Sequence, residues 1–190
     1  MKMSLNAFLQ QPAPIVAPQL LGCILEREVE GKILRVRVVE TEAYDQTDAA
    51  SHSYKGKTER TEIMFGEAGH LYVYFTYGMH YCCNVVTGKK GTGAAVLIRA
   101  VEPLFGEEYM HEWRLAKGVQ LSNGPAKLCQ ALVIDKRLNG HDLTRSPLKL
   151  ILQKPLDAAL ITQTKRVGIS QDKHRLWRFY ITGNGYVSRM

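Results

Sequence analysis

The sequence predicts an α+β fold in a single domain, residues 1–190: a curved, mainly antiparallel sheet, partly open and barrel-like, with a few helices packed outside it. Three observations carry that reading. Runs of strand formers recur, with LYVYFTY at Leu71–Tyr77 the densest. Short glycine-containing turns separate them, too short for the helical crossover that parallel pairing needs. Strands outnumber the helical signals, which favours a sheet of mainly antiparallel hairpins with two or three helices packed outside. At 190 residues and 45% hydrophobic content, the chain can bury one sizeable core.

Along the chain, Gln11–Pro18 holds three prolines and predicts an extended lead-in, with a helical turn at Ala17–Leu21 closed by Gly22. Cys23–Glu28, a turn at Glu30-Gly31 and Lys32–Glu42 read as a hairpin. Asp45–His70 has no clear period and reads as a long polar loop, a length that in compact domains is functional or disordered. Leu71–Tyr77 and Tyr81–Thr87 make a second hairpin turned at Gly78. GKKGTG, Gly88–Gly93, turns the chain again into a strand at Ala94–Glu102. Helices are predicted over Gly106–Leu115 and Gly124–Ile134, the latter with Ser122 and Asn123 as capping candidates and Pro125 in its first turn. Short strands follow at Leu148–Gln153 and Leu176–Thr182.

Composition narrows the function. No run of about 18 apolar residues exists, so no membrane-spanning helix is expected. The leading MKMSLNAFLQQPAPIVAP lacks a sustained apolar region, so no signal peptide is expected either. Cys82 and Cys83 are adjacent while Cys23 and Cys129 stand alone, which fits reduced thiols in an intracellular protein rather than a disulfide framework. A net charge of +7 and a pI near 9.3 favour a polyanionic partner, nucleic acid ahead of an acidic membrane surface. The cations are spread over Lys55–Arg60, Lys89-Lys90, Lys136-Arg137, Lys165-Arg166 and Lys173–Arg178, a distribution suited to a broad face that tracks a backbone.

Two stretches carry candidate chemistry. In VVETEAYDQTDAASHSYKG, an extended chain gives Val36, Val38, Glu40, Glu42 and Tyr44 one parity. A face that ends in two carboxylates and a phenol, just before a loop with His52, is poor core. In LYVYFTYGMHY, Tyr72 and Tyr74 share one face while Val73, Phe75 and Tyr77 share the other. Core packing accounts for Val73 and Phe75. Tyr77 and Met79 sit at the hairpin tip, exposed by position, and in a basic protein form a candidate wedge between base pairs. His52, His70, His80, Cys82 and Cys83 have no metal-ligand spacing, and adjacent strand cysteines face opposite ways, so no metal and no cofactor are predicted. GKKGTG joins two strands and reads as a solvated turn rather than a phosphate cradle.

ETEAY, AASHS, MF, GHLYVYFTYGMHYCCNVV, LIRAVEP, NGPAKLCQAL and RFYITGNGYVS together resemble the alkyladenine (3-methyladenine) DNA glycosylase family, in order and near its spacing, from Ala17 to the last few residues. The resemblance implies a base-excision repair enzyme that flips alkylated or deaminated purines out of duplex DNA and hydrolyses the N-glycosidic bond. By position, Glu42 is similar to the water-activating base, and Asn84 and Arg99 match residues that line the pocket and hold the attacking water. Tyr44, Tyr74 and His52 resemble the residues enclosing the extruded base, Tyr77 the side chain filling the gap in the duplex, and Glu40 a supporting carboxylate. The chain departs from the family at Thr61, where Asn is frequent, and at Ala126, where Gly is frequent.

The physical logic agrees with those roles. One carboxylate can deprotonate water and sit beside the positive charge of an oxocarbenium-like transition state. A cationic alkylated purine stacked on Tyr44 and Tyr74 gains about 0.5 to 2 kcal/mol and leaves without protonation. No residue suggests a nucleophilic lysine, so a monofunctional enzyme without lyase activity is expected. Its expected partner is double-stranded DNA with damaged purines, with no membrane, an intracellular place with the DNA, and a monomeric state. The rivals are a catalytically silent nucleic-acid-binding module on the same fold and an RNA-binding domain, the latter lacking any RNP-like motif.

Overall fold

The computed structural model describes residues 4–188; Met1–Met3, where the leader argument begins, and the last two residues lie outside them. Helix α1 (Leu5–Leu9) opens at Ser4, whose hydroxyl accepts the Ala7 N–H at 3.2 Å. Helix α2 (Ala13–Gln19) occupies the stretch expected to be extended. Pro12 is its N-cap and Pro14 falls in its first turn, where no intrahelical donor is missed, so these two open a helix instead of precluding one, while Pro18 lies inside it, in the last turn.

The strands are β1 (Ile24–Val29), β2 (Lys32–Asp45), β3 (Leu71–Thr76), β4 (His80–Val86), β5 (Ala94–Phe105), β6 (Leu148–Ile151), β7 (Ile161–Thr164) and β8 (Arg178–Ile181). Their order is β3-β4-β5-β2-β1-β6, with β8 alongside the second half of β2 and β7 outside β8; every pairing is antiparallel. Strand β7 has no counterpart among the expected elements. The fold is α+β, a curled antiparallel sheet with helices against it. Helices α3 (Glu107–Trp113) and α4 (Pro125–Ala131) are shorter than predicted. Ser122 does not cap α4: its hydroxyl donates to the Val101 carbonyl at 2.6 Å, and Gly124 stands at the N-cap with no side-chain bond.

The sheet's main irregularity positions the site. Along β2 and β5, Val38 opposes Val101, Glu40 opposes Ala100, and Thr41 opposes Ile98. Val39 is therefore an extra residue on β2 and Arg99 an extra residue on β5, two bulges side by side. Each reverses the alternation of its strand. Leu34, Val36 and Val38 join the main core; beyond the bulge Ala43 joins it, and Thr41 donates to the Ala17 carbonyl of α2 at 2.9 Å. On β5, Val96, Ile98 and Val101 join the same core. Glu40, Glu42 and Tyr44 turn to the opposite side, as do Leu97 and Arg99. The single parity expected from Val36 to Tyr44 is thus corrected: the valines and the carboxylates face opposite sides of the sheet. Phe75 is a second correction, since it is not core; 51% of it is exposed and its ring leans on Tyr81 at 5.0 Å.

Candidate active site

On the side of the sheet that receives Glu42, a cleft of about 510 Å³ opens. Strand β2 supplies Glu42 and Tyr44, β3 supplies Tyr72 and Tyr74, β4 supplies Cys82 and Asn84, and β5 supplies Leu97 and Arg99. Two loops close it, Ala49–His52 and Val167–Gln171. Strict alternation does the rest: Val73 and Cys83 enter the core while Tyr72, Tyr74 and Cys82 enter the cleft. The His52 loop is pinned at Gly93, where a Cβ would lie 2.5 Å from Phe65 and 2.6 Å from Ser53. Ser53 donates to the Gly93 carbonyl at 2.7 Å, and Gly93 N–H donates to Gln46 at 2.9 Å.

The floor is made of charge. Glu42 is fully buried; its Oε1 accepts the Val167 N–H at 2.8 Å and its Oε2 accepts the Tyr44 hydroxyl at 2.8 Å. Arg99 Nη1 lies 3.6 Å from Oε2. Burial pushes the Glu42 carboxyl above the usual carboxylate range, against the pull of Arg99, the Val167 amide and the Tyr44 hydroxyl. Burial and the neighbouring Glu42 push the Tyr44 phenol far up, so it stays protonated and donating. Beneath lies Glu40, also fully buried, accepting from Arg178 Nε at 2.6 Å and the Ser188 N–H at 2.7 Å, with Arg99 Nε at 3.2 Å.

The walls are aromatic. The His52 ring meets Tyr74 edge-on with centroids 4.6 Å apart, and its Nδ1 lies 3.0 Å from the Tyr72 hydroxyl. Burial, then Arg60, pushes the His52 pKa down to about 4, so the ring is neutral at physiological pH. Behind Tyr44, the Arg166 guanidinium stacks at 4.6 Å from the ring centroid. Arg166 pairs with Asp48, both side chains fully buried, and donates to the Ala43 carbonyl at 2.9 Å. This clamp holds the next residue, Val167, with its amide against Glu42.

At the rim, Tyr77 lines the mouth of the cleft and is 84% exposed. Met79, 70% exposed, instead faces a second groove with Trp113 and Cys129. The structure therefore gathers Glu42, Arg99, Tyr44, His52, Tyr74, Asn84 and Tyr77 around one cleft and leaves Met79 outside it. Asn84 is buried and its amide donates to the Tyr72 carbonyl at 3.1 Å. Thr61 is buried and ties its loop through the Thr58 N–H at 2.9 Å, while Ala126 lines the second groove. Among the described residues, no group of three or more His, Cys, Asp or Glu could hold a metal, and no helix is long and apolar enough to cross a membrane.

Sequence reasoning missed Arg166, Arg178, Asp48, Val167 and Ser188. The two arginines, counted there with the spread surface charge, are only 6% and 3% exposed. Arg178 did carry a signal, a cation between Trp177 and Phe179 in a strand pattern. Val167 carried none, because its backbone amide makes the contact.

The site is a cleft with aromatic walls and a buried carboxylate at its floor, on a curled antiparallel sheet in a basic chain. Comparison with known proteins identifies the family. The profile of the family described as methylpurine-DNA glycosylase (MPG) matches residues 7–185. A Carboxydothermus hydrogenoformans protein named "Putative 3-methyladenine DNA glycosylase" is 52% identical over 177 residues, covering 92% of this chain and 93% of its own. Proteins of the same name from Desulfitobacterium hafniense and Methanoculleus marisnigri are each 46% identical, covering 95% and 96% of this chain and 96% and 97% of their own. The chain belongs to the methylpurine-DNA glycosylase family, and so is a DNA-repair glycosylase.

Proposed function

We propose that this chain extrudes alkylated or deaminated purines, such as 3-methyladenine, from double-stranded DNA and hydrolyses their N-glycosidic bond with a water activated by Glu42. The observation that carries this reading is the Glu42 carboxylate, buried at the floor of an aromatic cleft yet lining it. Its environment makes it a stronger base than an exposed glutamate, because burial raises its proton affinity. Its contacts with Val167 and Tyr44 fix the carboxylate plane.

In this mechanism the damaged base leaves the stack and enters between Tyr44 and the His52–Tyr74 wall. A water proton passes to Glu42 as the water oxygen bonds to C1′, and the C1′–N bond breaks with its electron pair going to the base. The carboxylate also faces the developing positive charge at the sugar. Arg99, 3.6 Å from the Glu42 carboxylate, holds the water beside it. His52 is suited to a cationic base because a neutral ring does not repel it. Tyr77 fills the gap that the base leaves in the duplex. No described residue lining the cleft is a lysine, which supports hydrolysis by water without a Schiff base, hence a monofunctional enzyme. We take it to act as a monomer, without a cofactor, wherever the DNA is.

The test is direct. Duplexes carrying single 3-methyladenine, 7-methylguanine, hypoxanthine or ethenoadenine lesions are incubated with the protein in chelator, and released base and abasic sites are measured. Release of at least one free base with intact strands is expected. Tight duplex binding with no base released contradicts this reading and leaves the silent binding module.

A further inference from the structure

Glu40 lies under the cleft rather than in its lining, yet its carboxylate organises the cations around Glu42. Arg99 stands between the two carboxylates. Its Nε is 3.2 Å from Glu40 Oε1 and donates to Ser188 Oγ at 3.0 Å, and Ser188 Oγ is in turn 3.1 Å from Glu40 Oε1. Its Nη1 stops 3.6 Å short of Glu42 Oε2, beyond hydrogen-bond reach. A guanidinium beside an unshared carboxylate closes to about 2.7–2.9 Å, commonly in a two-pronged pair. The directed bonding of Arg99 is therefore taken up on the Glu40 side.

We propose that Glu40 is a positioning residue that holds Arg99 back from Glu42 and thereby keeps Glu42 available as a base. The inference rests on the reading that Glu42 takes the water's proton. The charged and titratable groups around Glu42 are Tyr44 and Glu40 on β2, Tyr74 on β3, Cys82 on β4, Arg99 on β5, Arg178 on β8, Arg166 just before Val167, and His52 across the cleft. Three of these are cations. Asp48 pairs with Arg166, while Glu40 pairs with both Arg99 and Arg178. Without Glu40, two guanidiniums lose their partner beside Glu42. Arg99 then closes on Glu42, protects its charge and lowers its appetite for a proton. Glu40 also acts through space, its negative charge being one of the influences that raise Glu42.

The readout is the acid limb of single-turnover base release, followed over about pH 4 to 8, the range in which a carboxylate base titrates. For Glu40→Gln the acid limb is expected to move down by about one pH unit, the size of one neighbouring charge at an effective dielectric near 20. The plateau rate is expected to fall about tenfold, as a weaker base takes the proton less readily. Glu40→Asp keeps the charge but draws it back by one methylene, so its acid limb should move the same way by less. Affinity for lesion duplex should stay within a few-fold in both, with circular dichroism confirming the fold.

A structural role alone lowers stability and leaves the pH profile in place. A native acid limb in Glu40→Gln, or one moved upward, overturns the proposal; if Glu40→Gln does not fold, a native acid limb in Glu40→Asp overturns it. A native enzyme that releases no base contradicts the role of Glu42 instead, so the two failures are distinguishable.

Discussion

At the floor of the cleft, Glu42 is fully buried with both carboxylate oxygens bonded, to the Val167 amide and the Tyr44 hydroxyl. At the rim, Tyr77 is 84% exposed and held at φ 51°, a left-handed backbone that a tyrosine adopts at a cost. The floor is over-determined: Asp48 pairs with Arg166, which holds Val167 against Glu42, and Glu40 pairs with Arg99 and Arg178 beside it. The tip is supported by little beyond its own turn. A residue locked in a bonded network affects folding and chemistry together. A residue on an unsupported tip affects DNA engagement and leaves the core alone. Backbone strain at such a tip is the kind of local cost that function can retain.

Breaking the floor should give the largest change in stability. Asp48→Asn leaves the fully buried Arg166 without its counter-charge, which typically costs about 3–5 kcal/mol. Thermal denaturation should show a large fall in Tm, and base release should fall with it because Val167 loses its clamp. If Tm is unchanged, the floor is not over-determined.

The tip should show the opposite pattern. Tyr77→Gly removes a side chain from a left-handed position, so the protein should gain about 1 kcal/mol of stability. Lesion-duplex affinity should nevertheless drop by roughly 10- to 100-fold, the usual cost of losing one stacked aromatic. Denaturation together with equilibrium binding measures both. A destabilised variant with unchanged affinity would make Tyr77 a packing residue.

A smaller effect concerns the wall between these regions. His52 is pushed from its ordinary pKa near 6.5 to about 4, so the unfolded chain takes up a proton in that window before the folded one does. Stability from this site is therefore complete above about pH 6.5 and is lost as pH falls towards 4. In His52→Gln, the slope of Tm against pH across that window should flatten. A slope identical to the native one would show that His52 is not buried in its neutral form.

Much of this architecture was legible in the sequence. The two hairpins appear because Glu30-Gly31 and Tyr77-Gly78 both allow positive φ between strand-forming runs. Alternation in β3 correctly sends Tyr74 to the cleft and Val73 to the core. What alternation cannot reveal is a bulge: Val39 and Arg99 look like ordinary strand residues, and the extra residue is visible only in the pairing register. Glu42 and Tyr44 were therefore placed together rightly, but the valines before them were given to the wrong side. The α2 prolines misled because Pro12 and Pro14 occupy helix-opening positions, where a missing N–H costs nothing. Arg166 and Arg178 read as surface charge because burial of a cation depends on partners far away in sequence, Asp48 and Glu40.

The central claim is that Glu42 performs the chemistry while the aromatic walls and the tip perform the binding. Glu42→Gln tests it most directly, because it keeps the shape of the floor but removes the proton acceptor and the charge facing C1′. Single-turnover excision and lesion-duplex affinity should be measured on the same preparation. Excision is expected to fall by about 10²- to 10⁴-fold, the usual cost of losing a general base, with affinity within a few-fold of native. Excision by Glu42→Gln at close to the native rate would contradict the account.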